Sequence, residues 1–275
     1  MSRKPKLLNL DLLNQMHARG EFANTTYIEL QMAGEPTLHP ALREAIDYLH
    51  EIGLLVGLST HGLRLDVQSV QDAVLRLDAL TISIDSVAPE IYERLRYPAK
   101  FKDLERCLDA FFATYCYLRD RALPVPIVDL QVIETDIAGG SQLEAVKSYI
   151  AKKGWPCRVR TVEDSFVEMI HPDEAGACPR TGSGFMCLEP FTSVSINADG
   201  DVVPCCLIFD PKKSSSTYLG NIYESTLRDI WEGTKARHLR WSHRAGTLAD
   251  ECKQCYQWPL PDITGDIVRQ IARAL

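Results

Sequence analysis

The feature that most constrains the fold is a regular alternation of helical and strand patterns over about the first 165 residues. Apolar, β-branched runs predict strands at residues 26–33, 54–60, 79–85, 125–135 and 157–164. Apolar residues at helical spacing predict helices at residues 8–19, 40–52, 67–77, 101–121 and 141–154. Strands separated by helices with short links form a parallel sheet with helices outside it. The sequence therefore predicts an α/β fold that opens on a helix.

Ligands of parallel sheets bind at the carboxyl ends of the strands. Four predicted strands end in residues that suit such a site, and these are Gly34 and Glu35, Thr60 and His61, Ser83 and Asp85, and Glu134 and Thr135. A lone histidine is more often structural than ligating, so His61 and the nearby His39 are the weaker candidates. We expect the other side chains to line a binding site at this edge of the sheet.

The charge and hydropathy of the chain exclude some classes of partner. A net charge of −7 argues against a nucleic-acid-binding surface. No stretch approaches the roughly 18 consecutive apolar residues of a membrane span, and the basic opening "MSRKPK" lacks the apolar segment of a signal peptide. We expect a cytoplasmic protein that binds neither nucleic acid nor membrane.

The pattern changes after about residue 165, which predicts two domains, at residues 1–165 and 166–275. Helical periodicity fades, and seven of the nine cysteines lie at or beyond Cys157. The stretch "SVSINADGDVVPCC" predicts a β-hairpin that turns at Asp199-Gly200. Clustered cysteines in a reducing compartment indicate metal or redox chemistry rather than disulfides.

Four cysteines have the spacing of a metal site. The hairpin separates the first two, and a CxxC pair follows later; they are Cys187, Cys205, Cys252 and Cys255. Four thiolates suit either zinc or an iron–sulfur cluster. We interpret Cys107, Cys116 and Cys157 as packing residues. Cys206 would point to the opposite strand face from Cys205, and the role of Cys178 stays open.

Three segments together resemble one family. They are "MAGEPTLHPALREAIDYLHEIGLLVGLSTHG", "LTISIDSVAPEIYERLR" and "CLEPFTSVSINADGDVVPCC" with its later "CKQC". In order and spacing they resemble the radical S-adenosylmethionine (SAM) enzymes with a SPASM/Twitch-type C-terminal extension, over nearly the whole chain. The resemblance implies a partial parallel (βα)6-type radical SAM barrel lacking its first strand. A small cysteine-rich domain of β-hairpin and helix would follow it.

The resemblance also implies cofactors and roles. The SAM-binding residues would be Gly34, Glu35, Pro36, Thr60, Ser83 and Asp85, and the ligands of an auxiliary 4Fe–4S cluster would be Cys187, Cys205, Cys252 and Cys255. Glu35 and nearby backbone carbonyls would accept hydrogen bonds from the SAM ammonium. Gly34 would allow close backbone approach, and Pro36 would fix the turn.

The implied reaction is an oxidoreduction. A 5′-deoxyadenosyl radical would remove hydrogen from a small-molecule or peptide substrate, and the auxiliary cluster would aid the oxidation or position the substrate. An electron donor such as flavodoxin or ferredoxin would be needed, and Cys178 or Asp164 could act as a substrate-side acid or base.

The departures from the family pattern qualify this expectation. No cysteine precedes Cys107, so the CxxxCxxC loop that holds the family's radical-generating cluster is absent from the sequence. We therefore expect a truncated chain that is inactive alone, and a second 4Fe–4S cluster only if that motif lies upstream. The lack of cysteines after Cys255 favours the shorter, single-cluster Twitch form. The alternative is a non-catalytic metal- or partner-binding protein on a degenerate radical SAM scaffold.

Overall fold

The computed structural model describes residues 6–32, 34–134, 142–163, 187–208, 211, 213 and 215–253. Packing divides them into two units. The sheet unit comprises the described parts of residues 27–31 and 35–163. The hairpin unit comprises the described parts of residues 6–26, 32–34 and 187–253.

The sheet unit is built on five parallel strands whose order in space is their order in the chain. They are β1 (Tyr27–Glu29), β2 (Leu55–Thr60), β3 (Ala79–Ser83), β4 (Ile127–Glu134) and β5 (Arg158–Glu163). The predicted parallel α/β architecture is confirmed. β1 is shorter than the predicted strand 26–33.

Helices connect successive strands. They are α2 (Leu42–Glu51), α3 (Gln68–Val74), α4 (Pro89–Leu95), α5 (Phe101–Arg119) and α6 (Leu143–Lys153), with a short 3₁₀ helix at Pro36–Leu38. α4 was absent from the predicted helices, although Pro89 stands at its first turn, where proline is favoured. The other helices lie within the predicted ranges.

One face of the sheet forms the core of the sheet unit. Alternate strand residues point to the same face, and those on the helix-covered face are at most 3% exposed, namely Val56, Leu58, Thr60, Leu80, Ile82, Val128, Leu130 and Val132. The opposite face, called the polar face below, carries Ser59, Thr81, Ser83, Asp129, Gln131, Arg158 and Arg160 toward its carboxyl end, with Leu55, Gly57, Ala79 and Ile127 nearer its amino end. Because the apolar face is covered by helices, the side chains that could bind a ligand lie on the polar face and at the strand ends.

The hairpin unit contains a three-stranded antiparallel sheet and short helices. Its strands are β6 (Ser195–Ile196), β7 (Asp201–Val203) and β8 (Gly220–Asn221). Its later helices are α7 (Glu189–Thr192), α8 (Leu227–Trp231), α9 (Thr234–Ala245) and α10 (Asp250–Lys253). The predicted hairpin is confirmed, since β6 pairs antiparallel with β7. The predicted single helix 225–244 breaks at Gly233, where a Cβ would lie 2.8 Å from the Asp229 carbonyl oxygen.

The first helix, α1 (Asp11–Ala18), packs within the hairpin unit. Leu12 and Met16, one turn apart, join a buried cluster with Val202, Ile222 and Ile230. This packing differs from the predicted boundary, which assigned residues 1–165 to a single domain. The physical reason is the apolar stripe of α1, which is buried against β7 and its neighbours in the hairpin unit. The second boundary, near residue 165, falls outside the described residues and stays a prediction.

Candidate functional site

Glu35 is the centre of the loop that follows β1. Its Oε1 accepts hydrogen bonds from the backbone N–H of Thr37 (3.1 Å), the Thr37 hydroxyl (2.5 Å) and the Thr60 hydroxyl (2.7 Å). The Thr60 hydroxyl in turn accepts from the N–H of Gly62 (3.1 Å). Thr60 is the last residue of β2. The carboxylate therefore joins the loop after β1 to the end of β2.

The second carboxylate oxygen of Glu35 is directed to His61. Oε2 accepts from the backbone N–H of His61 (3.0 Å) and lies 3.2 Å from its Nε2. The other ring nitrogen, Nδ1, accepts from the N–H of Leu63 (3.1 Å). A neutral ring protonated at Nε2 satisfies both contacts. His61 is therefore structural here, and Glu35 engages five donor groups.

The backbone of this loop explains the residue types around Glu35. Gly34 has φ = +128°, a conformation that other residues rarely adopt. Glu35 is the N-cap of the 3₁₀ helix, and Pro36 is its first residue, where the missing N–H costs nothing. Gly34, Glu35 and Pro36 thus form one turn.

A buried ion pair follows β3. Asp85 is 2% exposed, has φ = +55°, accepts from the backbone N–H of Ile133 on β4 (3.2 Å), and pairs through its other oxygen with Arg96. Burial opposes the charge on Arg96, but the Asp85 carboxylate outweighs it and raises the pKa of the guanidinium, with a smaller contribution from Glu35. Arg96 therefore lies in the field of both predicted site carboxylates.

Arg96 was missed as a site residue by the sequence reasoning, although it ends the quoted segment "LTISIDSVAPEIYERLR". Ser83, the last residue of β3, is half-buried at the same edge. Thr135 lies outside the described residues, and of Glu134 only the backbone is described. The structure thus brings together the loop after β1, the end of β2 and the end of β3, as predicted from the parallel topology.

The cysteines of the hairpin unit lie around the hairpin. Cys187 precedes α7, Cys205 follows β7, and Cys252 lies in α10. Cys255 lies outside the described residues, as do Cys178 and Asp164. The described residues contain no group of three histidine, cysteine or acidic side chains that could hold a metal ion. The four-cysteine ligand set therefore stays a prediction, which the donor chemistry and the hairpin between Cys187 and Cys205 suit.

The turn of the hairpin is held by buried polar groups. Asn197 Oδ1 accepts from the N–H groups of Asp199 (2.8 Å) and Asp201 (3.1 Å), and Gly200 has φ = +81°. Asn221 on β8 donates to Asp201 Oδ1 (2.9 Å). This network fixes the turn four residues before Cys205. Cys206 is exposed; the predicted strand alternation does not reach it, because β7 ends at Val203.

Two cysteines of the sheet unit, Cys107 and Cys157, behave as packing residues. Cys107 is fully buried and donates its S–H to Asp66 Oδ1 (3.2 Å). Burial, together with the adjacent Asp66, raises its pKa to about 11. Burial raises the pKa of the Cys157 thiol to about 12. Both thiols therefore stay protonated at neutral pH and are poor metal ligands.

Comparison with known proteins adds a domain match and a fold. Residues 187–256, which include all four predicted ligand cysteines, match the SPASM family, described as an iron–sulfur cluster-binding domain. Residues 187–256 are therefore similar to a SPASM domain. A comparison with curated proteins gave no match.

Two solved structures are similar to this chain over most of its length. Streptococcus suis SuiB bound to S-adenosylmethionine is 13% identical, with a TM-score of 0.55, over 87% of this chain and 62% of SuiB. BtrN in complex with AdoMet and 2-DOIA is 17% identical, with a TM-score of 0.47, over 92% of this chain and 82% of BtrN. The SuiB likeness supports the fold. It confirms the predicted α/β fold class, and the SPASM match over residues 187–256 agrees with the predicted SPASM-type C-terminal extension. No helix within the described residues is long and apolar enough to cross a membrane.

Proposed function

We propose that this protein binds SAM at the carboxyl edge of the parallel sheet and an auxiliary 4Fe–4S cluster in its SPASM domain. It would serve a radical SAM oxidoreductase reaction on a small-molecule or peptide substrate. The observation that carries the proposal is the SPASM match over residues 187–256, together with a parallel sheet that has Glu35 bonded to Thr60 at the end of β2 and Asp85 paired with Arg96 after β3.

The hydrogen bonds of Glu35 refine its proposed role. A carboxylate offers about four lone-pair positions, and Glu35 already engages five donor groups. We therefore assign Glu35 to positioning the loop. The SAM ammonium would be accepted by backbone carbonyls beside Gly34, whose exposed backbone has no side chain to obstruct them.

Asp85 is also occupied, by Arg96 and the N–H of Ile133. Ser83 is half-buried at the same strand end and is the better candidate to touch the ribose or carboxylate of SAM. Asp85 and Arg96 would hold the backbone around Ser83. This division assigns ligand contact to Gly34, Pro36 and Ser83, and positioning to Glu35, Thr60 and Asp85.

The auxiliary cluster would be held by Cys187, Cys205, Cys252 and Cys255. When bound, a 4Fe–4S cluster supplies one-electron transfer. The chain's own contribution is the hairpin turn at Asn197 and Gly200, which sets the position of Cys205. We propose a flavodoxin- or ferredoxin-type electron donor and a cytoplasmic setting for the same reaction.

Titration calorimetry with SAM on the anaerobically reconstituted full chain tests the proposal. We expect saturable binding that weakens about tenfold in Ser83→Ala, through loss of a hydrogen bond to a charged or polar ligand group. Ser69→Ala, on the exposed face of α3, is the matched control and should bind as wild type. Because the 275 residues contain no CxxxCxxC motif, we expect no 5′-deoxyadenosine from this chain alone. Absence of SAM binding would refute the proposal.

A further inference from the structure

The polar face of the parallel sheet carries two rows of side chains across neighbouring strands. In the lower row, the strand register places Ser59, Thr81, Asp129 and Arg158 side by side. In the row nearer the carboxyl edge, it places Ser83, Gln131 and Arg160 side by side. Ser83 therefore shares its row with an arginine two strands away.

The lower row contains a neutralised pair. Arg158 donates from Nε to Asp129 Oδ1 (2.6 Å) and from Nη2 to Asp129 Oδ2 (2.7 Å). This two-point geometry is the strongest that an arginine and a carboxylate form. The side chain of Asp129 is 6% exposed, so the charge of this carboxylate is used within the protein by Arg158.

Arg160 has no comparable partner among the described residues. Its side-chain hydrogen bond there runs from Nη2 to the Thr81 hydroxyl (3.0 Å). Its Nε is 3.8 Å from Asp129 Oδ2, too far for a hydrogen bond, and is a buried donor without an acceptor in that part of the chain. The Arg160 side chain keeps 22% of its surface exposed. A guanidinium has five N–H donors, and the described residues accept a hydrogen bond from one of its nitrogens, Nη2.

Tyr27 covers part of the polar face on the side of these rows that is away from the carboxyl edge. Its hydroxyl oxygen lies 1.7 Å from the position that a Cβ on Gly57 would occupy. Glycine at position 57 therefore makes room for the tyrosine ring to lie across the polar face. A ligand of Arg160 would approach from the side of the carboxyl edge, where Ser83 ends β3.

We propose that Arg160 is the anchor for an oxyanion of the substrate, a carboxylate or a phosphate, on the polar face of the sheet. Two guanidinium groups, those of Arg158 and Arg160, share one carboxylate there. Because Arg158 binds Asp129 through two hydrogen bonds, Arg160 can pair with an external anion. A planar guanidinium with free N–H groups matches both oxyanions. The inference rests on the proposed function, since it takes the substrate to bind beside the SAM site.

Calorimetric titration of the reconstituted full chain with acetate and with inorganic phosphate, at constant ionic strength set by chloride, tests the anchor. We expect at least one of these probes to bind in the millimolar range, because a small fragment contributes little binding energy alone. Arg160→Gln should weaken that binding at least tenfold. Arg160→Lys, which keeps the charge but loses the planar fork, should weaken it less. The response to each probe distinguishes a carboxylate from a phosphate anchor.

Two controls make the test specific. Arg158→Lys, on the same strand and face, should change probe affinity less than twofold, and Thr81→Val should leave Arg160 able to bind the probe. Lack of binding to wild type, or an equal loss in Arg158→Lys, would overturn the proposal. Loss of SAM affinity in Arg160→Gln would also overturn it, because the oxyanion would then be the carboxylate of SAM. Probe binding without SAM binding would refute only the proposed function.

Discussion

Replacing Glu35 by glutamine tests whether this residue holds the loop or binds a ligand. The substitution preserves size but exchanges one acceptor oxygen for an NH₂ donor. If the amide oxygen takes the place of Oε1, the NH₂ group faces the backbone N–H of His61. In the wild type, that N–H donates to Oε2 at 3.0 Å. The reverse orientation sets the NH₂ group against the two donors of Thr37 and the Thr60 hydroxyl. Either orientation leaves at least one donor facing another donor.

The magnitude follows from the bonds lost. A hydrogen bond to a charged group contributes about 1.5–3 kcal/mol, and an unsatisfied buried donor costs about 1–3 kcal/mol. The Glu35 side chain is 10% exposed, so water replaces little of this loss. We expect Glu35→Gln to lower the free energy of unfolding by about 2–4 kcal/mol. At about 2–4 °C per kcal/mol for a domain of this size, the melting temperature of the sheet unit should fall by roughly 5–15 °C.

Thermal unfolding followed by circular dichroism, with and without SAM, measures this effect. Glu51→Gln, on an exposed position at the end of α2, is the matched control and should shift the melting temperature by less than about 2 °C. A melting temperature equal to wild type, combined with a large loss of SAM affinity, would refute the positioning role. Glu35 would then act as a direct ligand of the SAM ammonium.

Two substitutions and one labelling experiment test the structure elsewhere. Asp85→Asn should destabilise the sheet unit by about 2–3 kcal/mol in denaturant unfolding, because it leaves the mostly buried Arg96 without its counter-charge; an unchanged midpoint would contradict the ion pair. Met16→Ala should cost about 2–4 kcal/mol in the hairpin unit and promote loss of iron, since Met16 is 3% exposed; iron loss at the wild-type rate would argue against this packing. Cys107 should resist alkylation by iodoacetamide at pH 8, because a pKa raised from 9.0 to about 11 lowers its thiolate fraction about a hundredfold. Alkylation should increase as the pH approaches 11. Rapid labelling of the native chain at pH 8 would contradict the burial of this thiol.

The sheet could be predicted from the sequence because periodicity and turn residues carry most of the information. The runs "LLVGLST" and "ALTISID" became β2 and β3, and glycines or prolines bounded the neighbouring helices. Helix α1 shows the limit of this approach. Its apolar stripe identifies a helix but not its partner, and long-range packing within the hairpin unit decides where it lies.

For the candidate site, sequence reasoning found the strand ends but not the direction of their side chains. Glu35 and Asp85 were predicted as SAM-binding residues, yet their carboxylates engage Thr60, His61 and Arg96. Those contacts join residues 11 to 26 positions apart, so no local pattern reveals them. The unused donors of Arg160 depend on strand register, which a single sequence does not provide.

The most direct test of the central claim is the iron and acid-labile sulfide content of the reconstituted full chain and of two matched variants. We expect about four irons and four sulfides per chain for wild type. Cys206→Ser should retain them, because Cys206 is exposed and lies outside the predicted ligand set. Cys205→Ser should lose most of both. About one zinc and no sulfide in wild type, or equal cluster loss in the two variants, would contradict the account.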